Sequence, residues 1–169
     1  MRTTIVCIMG VAGSGKSTVG ELLADEMRCK FLDGDTLHPP ENIRKMTLGV
    51  PLTDADRAPW LGAIHAHLVE SFQRSETLVV ACSALKQRYR DTLSEAVPLM
   101  WVYLKGSEEL IRKRLVDRQH HFMKANMLAS QFADLEEPAG AITIDVAVSP
   151  FDAVRQIVDV LHSEQARAS

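Results

Sequence analysis

The sequence predicts an α/β protein in which a parallel sheet is covered by helices on both sides. Two observations carry this reading. Short, largely apolar runs occur at 5–9, 30–32, 78–82, 100–104 and 141–144, and segments with apolar residues at helical spacing lie between and after them, at 16–29, 57–74, 107–119 and 150–162. A strand with one face in water alternates polar and apolar residues; these runs do not, so they read as strands buried on both faces. Strand and helix in regular alternation imply crossover connections and hence parallel pairing.

Taken in order, IVCIM at 5–9 is wholly apolar, and the helix at 16–29 opens directly after a glycine-rich turn. The run at 30–32 precedes a stretch crowded with Pro, Asp and Gly, 33–59, that fits neither pattern. In the helix at 57–74, Trp60, Ile64, Leu68 and Phe72 step by four along one face, which makes Trp60 a core residue first and a pocket wall second. The runs at 78–82 and 100–104 flank the centre of the chain. Residues 107–119 read as a helix, and 120–140, amphipathic and rich in Met and Gln, again resists the alternation. After the last run, Phe151, Val154, Val158 and Leu161 mark a final helix, with Pro150 as its first residue and Ser149 as its cap. In open α/β sheets ligands lie beyond the carboxyl ends of the strands, so substrate and lid are expected in the two irregular stretches.

With 169 residues, 46% hydrophobic and 24% charged, the chain can fill one core, and one domain over 1–169 is expected. A net charge of -3 exerts no general pull on nucleic acid or anionic membranes, and neither is expected as a partner. No apolar stretch is long enough to cross a bilayer, and the N-terminus lacks the basic, apolar and small-residue order of a secretory signal. Cys7, Cys29 and Cys82 are odd in number and show no CxxC spacing, so they read as reduced thiols suited to the cytoplasm.

Between the first run and the first helix stands GVAGSGKSTVG, residues 10–20. It matches G-x-x-x-x-G-K-[ST] in the strand-to-helix context that this phosphate-binding loop requires. Gly10, Gly13, Ser14, Gly15, Lys16, Ser17 and Thr18 are the candidate nucleotide-binding residues. Glycines let successive N–H groups turn inward toward a phosphate, and the helix adds the positive end of its dipole. Lys16 can reach the terminal phosphates and Ser17 can ligate Mg²⁺. The guanine-reading NKxD and the DxxG of switch GTPases are absent. The central run ends in Cys82-Ser83 rather than in the Asp that many such proteins place beside the metal. Asp33 and Asp35, two residues apart at the end of the second run, supply carboxylates instead. One can sit in the metal's shell and the other can take a hydroxyl proton from an acceptor. Asp35 is the expected base and hydroxyl ligand and Asp33 the expected Mg²⁺ neighbour, although spacing alone leaves the roles exchangeable.

Three blocks carry a resemblance. Asp33-Gly34-Asp35 with His38-Pro39, Asn42, Lys45-Met46, Gly49, Pro51-Leu52, Asp54, Asp56-Arg57 and Pro59-Trp60-Leu61 is the longest. Cys82-Ser83-Ala84-Leu85-Lys86 with Tyr89-Arg90-Asp91 is the second, and His121-Phe122-Met123 continuing through Met127-Leu128, Ser130-Gln131-Phe132, Leu135-Glu136 and Pro138 the third. Over nearly its whole length the chain resembles the gluconokinases, small P-loop enzymes that phosphorylate D-gluconate at its 6-hydroxyl. The resemblance implies a P-loop NTPase-like three-layer α/β/α fold with a five-stranded parallel sheet in the order 2-3-1-4-5. It also implies a substrate-binding insertion at about 33–60 and a helical lid at about 119–138. ATP and Mg²⁺ are the implied cofactors, D-gluconate the small-molecule substrate, and a cytoplasmic homodimer the expected assembly.

An open-chain polyhydroxy acid needs hydroxyl acceptors, a cation for its carboxylate and a base. The expected substrate-binding residues are Asp35, His38, Lys45, Arg57, Ser83, Lys86 and Arg90. By resemblance, Arg114 lies near the base of the nucleotide with Pro150 packed against the adenine, and Arg118 near the phosphates as a catalytic lid cation beside Lys16, Asp33 and Asp35. Lys124 is a further lid candidate. Adjacent His120 and His121 face different ways on a helix and are not read as metal ligands. Two other readings stand beside this one: a P-loop kinase of another small acceptor, such as a shikimate-like acid or a nucleotide, and a nucleotide-binding module without transfer chemistry. The Asp33/Asp35 pair speaks against the module. Shikimate-type kinases are expected to carry a glycine triplet where this chain has Cys82-Ser83-Ala84.

Overall fold

Five strands, β1 (Ile5–Met9), β2 (Lys30–Asp33), β3 (Leu78–Ala81), β4 (Leu99–Lys105) and β5 (Ile142–Asp145), form one sheet in the order β2-β3-β1-β4-β5. Every neighbouring pair is parallel. The structure is a computed structural model and describes residues 3–117 and 127–167. Its helices are α1 (Lys16–Met27), α2 (Pro40–Thr47), α3 (Asp54–Gln73), α4 (Gln87–Ser94), α5 (Glu108–Asp117), α6 (Leu128–Asp134) and α7 (Pro150–Arg167), with a 3-10 turn at Gly34–Leu37.

Strand β1 occupies the centre and is buried throughout. Its side chains alternate between two cores, as the two-residue period of a strand requires. Val6 and Ile8 pack with Val19 and Leu23 of α1, Ile111 of α5, and Ile157 and Leu161 of α7. On the opposite face, Ile5, Cys7 and Met9 pack with Trp60, Ile64 and Leu68 of α3 and with Tyr89 and Leu93 of α4. Each fully buried side chain of the size of Ile8 or Leu23 contributes about 1.5–3 kcal/mol, so two such layers around one strand fix the three-layer sandwich.

The sheet order and the parallel pairing agree with the sequence-based expectation. The expectation that every run is buried on both faces holds for β1 and β3; it fails for the edge strands β2 and β5, which have half-exposed or exposed positions, and for the start of β4, where Leu99, Met100 and Trp101 are half-exposed. Runs of three or four apolar residues are too short for alternation to register. The apolar stripes also end sooner than their spacing implies. Phe72 is 39% exposed at the end of α3, and Phe151 is 70% exposed on α7, whose buried stripe is Ala153, Val154, Ile157 and Leu161. Helix α7 does begin at Pro150, and the Ser149 hydroxyl accepts the Asp152 N–H at 3.1 Å as a cap.

Candidate active site

At the carboxyl end of β1 the chain turns through Gly10–Gly15 into α1. Gly13 and Gly15 have φ of +78° and +98°, and a Cβ at Gly13 would lie 2.8 Å from the Leu115 side chain. The loop therefore needs glycine at both positions, for conformation at Gly15 and for conformation and space at Gly13. Gly15 caps α1 with no side-chain hydrogen bond, and the first turn carries no acidic residue. The leading N–H groups of a twelve-residue helix are thus left for an anion. Lys16 folds back across the loop, its Nζ donating to Val11 O at 3.0 Å. The Ser14 hydroxyl is buried inside the loop with no hydrogen-bond partner among the described residues.

The acidic turn is built from the neighbouring strands. Asp33 pairs in register with Ala81 of β3, and a Cβ on Gly34 would lie 2.6 Å from Ala81 O. Trp60 closes the turn from the other side, its Nε1–H donating to Gly34 O at 2.7 Å. Wedged in this way, Asp33 Oδ1 accepts the Asp35 N–H at 3.0 Å, and its Oδ2 accepts the Ser17 hydroxyl at 2.9 Å. A hydroxyl and a carboxylate, both hard oxygen ligands beside the phosphate loop, suit Mg²⁺ with water and phosphate oxygens completing the shell. Beneath them, burial pushes the Cys82 thiol up to about 12, with the Asp35 and Asp33 carboxylates adding to the effect.

Lys16, Ser17, Asp35, His38 and Arg57 line one cleft of about 910 Å³, open to solvent, together with Ser83. His38 stacks on Trp60 with ring centres 4.2 Å apart. Burial, helped by the nearby Arg57 charge, lowers the His38 pKa to about 4, so the imidazole is neutral at pH 7. Helix α3 starts in a capping box, with Thr53 and Asp56 satisfying each other's N–H groups. Asp56 also binds Lys45 of α2 at 2.7 Å, and that hydrogen bond leads the causes that hold its pKa at about 2.

At the mouth of the cleft, Arg57, Lys86 and Arg88 lie 5.4, 5.9 and 5.5 Å from the centre of the Tyr89 ring. Two carboxylates meet these three cations. Asp134 accepts from Arg57 at 3.1 Å and lies 3.5 Å from Lys86, while Asp54 pairs with Arg88 and accepts the Tyr89 hydroxyl. The Tyr89 hydroxyl in turn accepts from Arg57 at 2.9 Å. These five groups together carry one net positive charge, and Arg57 is the cation among them that lines the cleft.

Behind the phosphate loop lies a second cavity, of about 750 Å³, lined by Thr18, Leu104, Arg114, Val146 and Pro150. Arg114 donates to Val146 O at 2.5 Å. Gly15 and Thr18 line both cavities, so the two spaces meet at the start of α1.

The structure therefore brings together Lys16, Ser17, Asp33, Asp35, His38, Arg57 and Ser83 on one side of the loop, and Arg114 with Pro150 on the other. Lys45 and Lys86 stand back from the cleft in ion pairs. Arg90 does not line the cleft. It is 3% exposed and donates to the carbonyls of Ala84, Leu85 and Glu136 and to Gln87 Oε1. A buried guanidinium needs such partners, and here they hold Ala84 at a positive φ of 42° in the turn after β3. Arg118, His120, His121 and Lys124 lie outside the described residues. Sequence reasoning gave no role to Tyr89, Gln131 or Asp134, all of which border the cleft or its cations; Tyr89 and Gln131 stand in blocks that resemble the gluconokinases, and that was their available signal.

The shikimate kinase family model matches residues 12–158. The thermoresistant gluconokinase of Escherichia coli strain K12 is 46% identical over 149 residues, 88% of this chain and 85% of that protein. The gluconokinase of Gluconobacter oxydans strain 621H is 44% identical, over 82% and 78% of the two chains. The chain belongs to the shikimate kinase family, in its gluconokinase branch. A crystal structure of a gluconokinase from Sinorhizobium meliloti 1021 matches this gluconokinase-family chain with a TM-score of 0.86 and 43% identity, covering 99% of this chain and 98% of that one. The shikimate kinase of Aquifex aeolicus, at 16% identity and a TM-score of 0.60, shares the fold.

Proposed function

We infer that the protein transfers the terminal phosphate of ATP to the 6-hydroxyl of D-gluconate. The observation that carries this beyond family membership is the placement of Asp35 and Arg57 in the cleft that also holds Lys16 and Ser17. A carboxylate for the reacting hydroxyl and a cation for the acid group thus share one space with the phosphate loop.

In this reading the N–H groups of the loop and Lys16 hold the phosphates, where developing charge is stabilised by fixed dipoles and a point charge. Ser17 and Asp33 would hold Mg²⁺, which when bound neutralises charge on the phosphate oxygens. Asp35 accepts the proton of the attacking hydroxyl, with His38 and Ser83 as neutral hydroxyl partners. Arg57 meets the carboxylate, supported by the net positive charge around Tyr89. Arg114 and Pro150 border the adenine, and Arg118 serves as the lid cation. Lys45 and Lys86 act through Asp56 and Asp134 and not by touching the acceptor. A homodimer in the cytoplasm completes the reading; Cys7, Cys29 and Cys82 as free thiols are in keeping with that location.

The test is a coupled assay of ADP release with gluconate, shikimate, glucose and nucleoside monophosphates as acceptors. Gluconate is expected to give the highest kcat/KM by orders of magnitude. Efficient use of shikimate or of a nucleotide would overturn the assignment.

A further inference from the structure

Helix α6 is seven residues long and touches both ends of the chemistry. Gln131 Oε1 accepts the N–H of Ala12, 119 residues away, at 2.7 Å. Three residues later, close to one turn on, Asp134 holds Arg57 and Lys86. Ala12 and Gln131 line the acceptor cleft but not the cavity behind the loop; Ser14 lines only that cavity, and Gly15 and Thr18 line both. A phosphate chain running from the rear cavity to the cleft therefore meets Ala12 with its terminal phosphate.

A backbone N–H binds a charged phosphate oxygen more strongly than a neutral amide oxygen. ATP then displaces Gln131 from Ala12, while ADP, one phosphate shorter, leaves the bond in place. Displacement frees α6 to shift, and Asp134 at its far end releases part of its hold on Arg57. We propose that Gln131 is a positioning residue that gives way to the terminal phosphate and, through Asp134 on the same helix, makes Arg57 available to the acid group of the acceptor. The inference rests on Arg57 as the acceptor's cation, and it makes acceptor affinity depend on which nucleotide is bound.

The experiment titrates gluconate calorimetrically into the protein saturated with either MgADP or the magnesium complex of a non-hydrolysable ATP analogue. Gluconate is expected to bind about fivefold or more tightly with the analogue. In Gln131→Ala and in Asp134→Asn the ratio falls to near one. Gln131→Glu keeps an acceptor for Ala12 N–H but sets a carboxylate against the incoming phosphate, so its affinity for the analogue relative to ADP drops below the wild-type ratio. A wild-type ratio of one, or a wild-type ratio retained in both Gln131→Ala and Asp134→Asn, overturns the proposal. If gluconate binds under neither condition, the acceptor assignment has failed, and the nucleotide comparison on Gln131→Glu, which uses no acceptor, still decides the Gln131 contact.

Discussion

Ser17 and Asp33 face each other across the mouth of the phosphate loop, the hydroxyl donating to the carboxylate at 2.9 Å. One residue belongs to the first turn of α1 and the other ends β2, so two elements from separate parts of the sheet converge on one pair of oxygens. Asp33→Asn keeps one acceptor oxygen, for the Asp35 N–H, and turns an NH2 that can donate toward the Ser17 hydroxyl, while removing the charge a divalent cation favours. The concentration of Mg²⁺ giving half-maximal rate is expected to rise by roughly tenfold or more, with part of the lost rate restored at high Mg²⁺. An unchanged Mg²⁺ dependence would remove Asp33 from the metal site.

Arg57 and Arg90 should separate cleanly. Arg57→Ala is expected to lower kcat/KM for gluconate by at least roughly a hundredfold while leaving the feeble use of glucose, an uncharged sugar, little changed. Arg90→Ala instead strips donors from three backbone carbonyls. It should cost about 3 kcal/mol or more, lowering Tm by roughly 6–12 °C, with the gluconate-to-glucose preference intact in the protein that stays folded. Acceptor kinetics and thermal melts on both variants check this.

Gly34→Ala tests the wedge under the acidic turn. The added Cβ would lie 2.6 Å from Ala81 O, a backbone atom that cannot step aside. The substitution should destabilise by about 1–3 kcal/mol and reduce kcat by displacing Asp33 and Asp35. A variant with wild-type melting and rate would show that the turn is not held this tightly.

Neutral His38 makes stability depend on pH. Its folded pKa, about 4, lies below the ordinary value of 6.5, so the unfolded chain binds more protons between those values. Stability should therefore fall as pH drops from about 6.5 toward 4, and His38→Gln should flatten that part of the profile. Asp56, held at about 2, adds a further loss as pH falls through its range. Urea unfolding across pH 7 to 4 measures the His38 effect.

What the sequence disclosed depended on how local each feature is. The phosphate loop is one contiguous motif between a strand and a helix, and its elements lie where the spacing puts them. The Asp33/Asp35 turn was legible for the same reason. Helix α4 was not, because QRYRDTLS buries only Tyr89, Arg90 and Leu93 and shows no apolar stripe. Arg90 is expected from the sequence to meet the acceptor because a cation beside the phosphate loop suits an acid, and only the fold reveals the carbonyls that surround it. The pairs Arg57–Asp134 and Ala12–Gln131 span 77 and 119 residues. Nothing in a linear pattern joins residues so far apart.

Strand β2 has a neighbour on one side only, and from it hang the acidic turn, α2 and the start of α3. The phosphate loop, in contrast, springs from the central strand. Residues 33–60 thus form a cassette bolted to the rim of an engine whose shaft is β1. Exchanging such a cassette leaves the shaft untouched, and a lineage of kinases on this frame can change what it phosphorylates without relearning how to hold ATP.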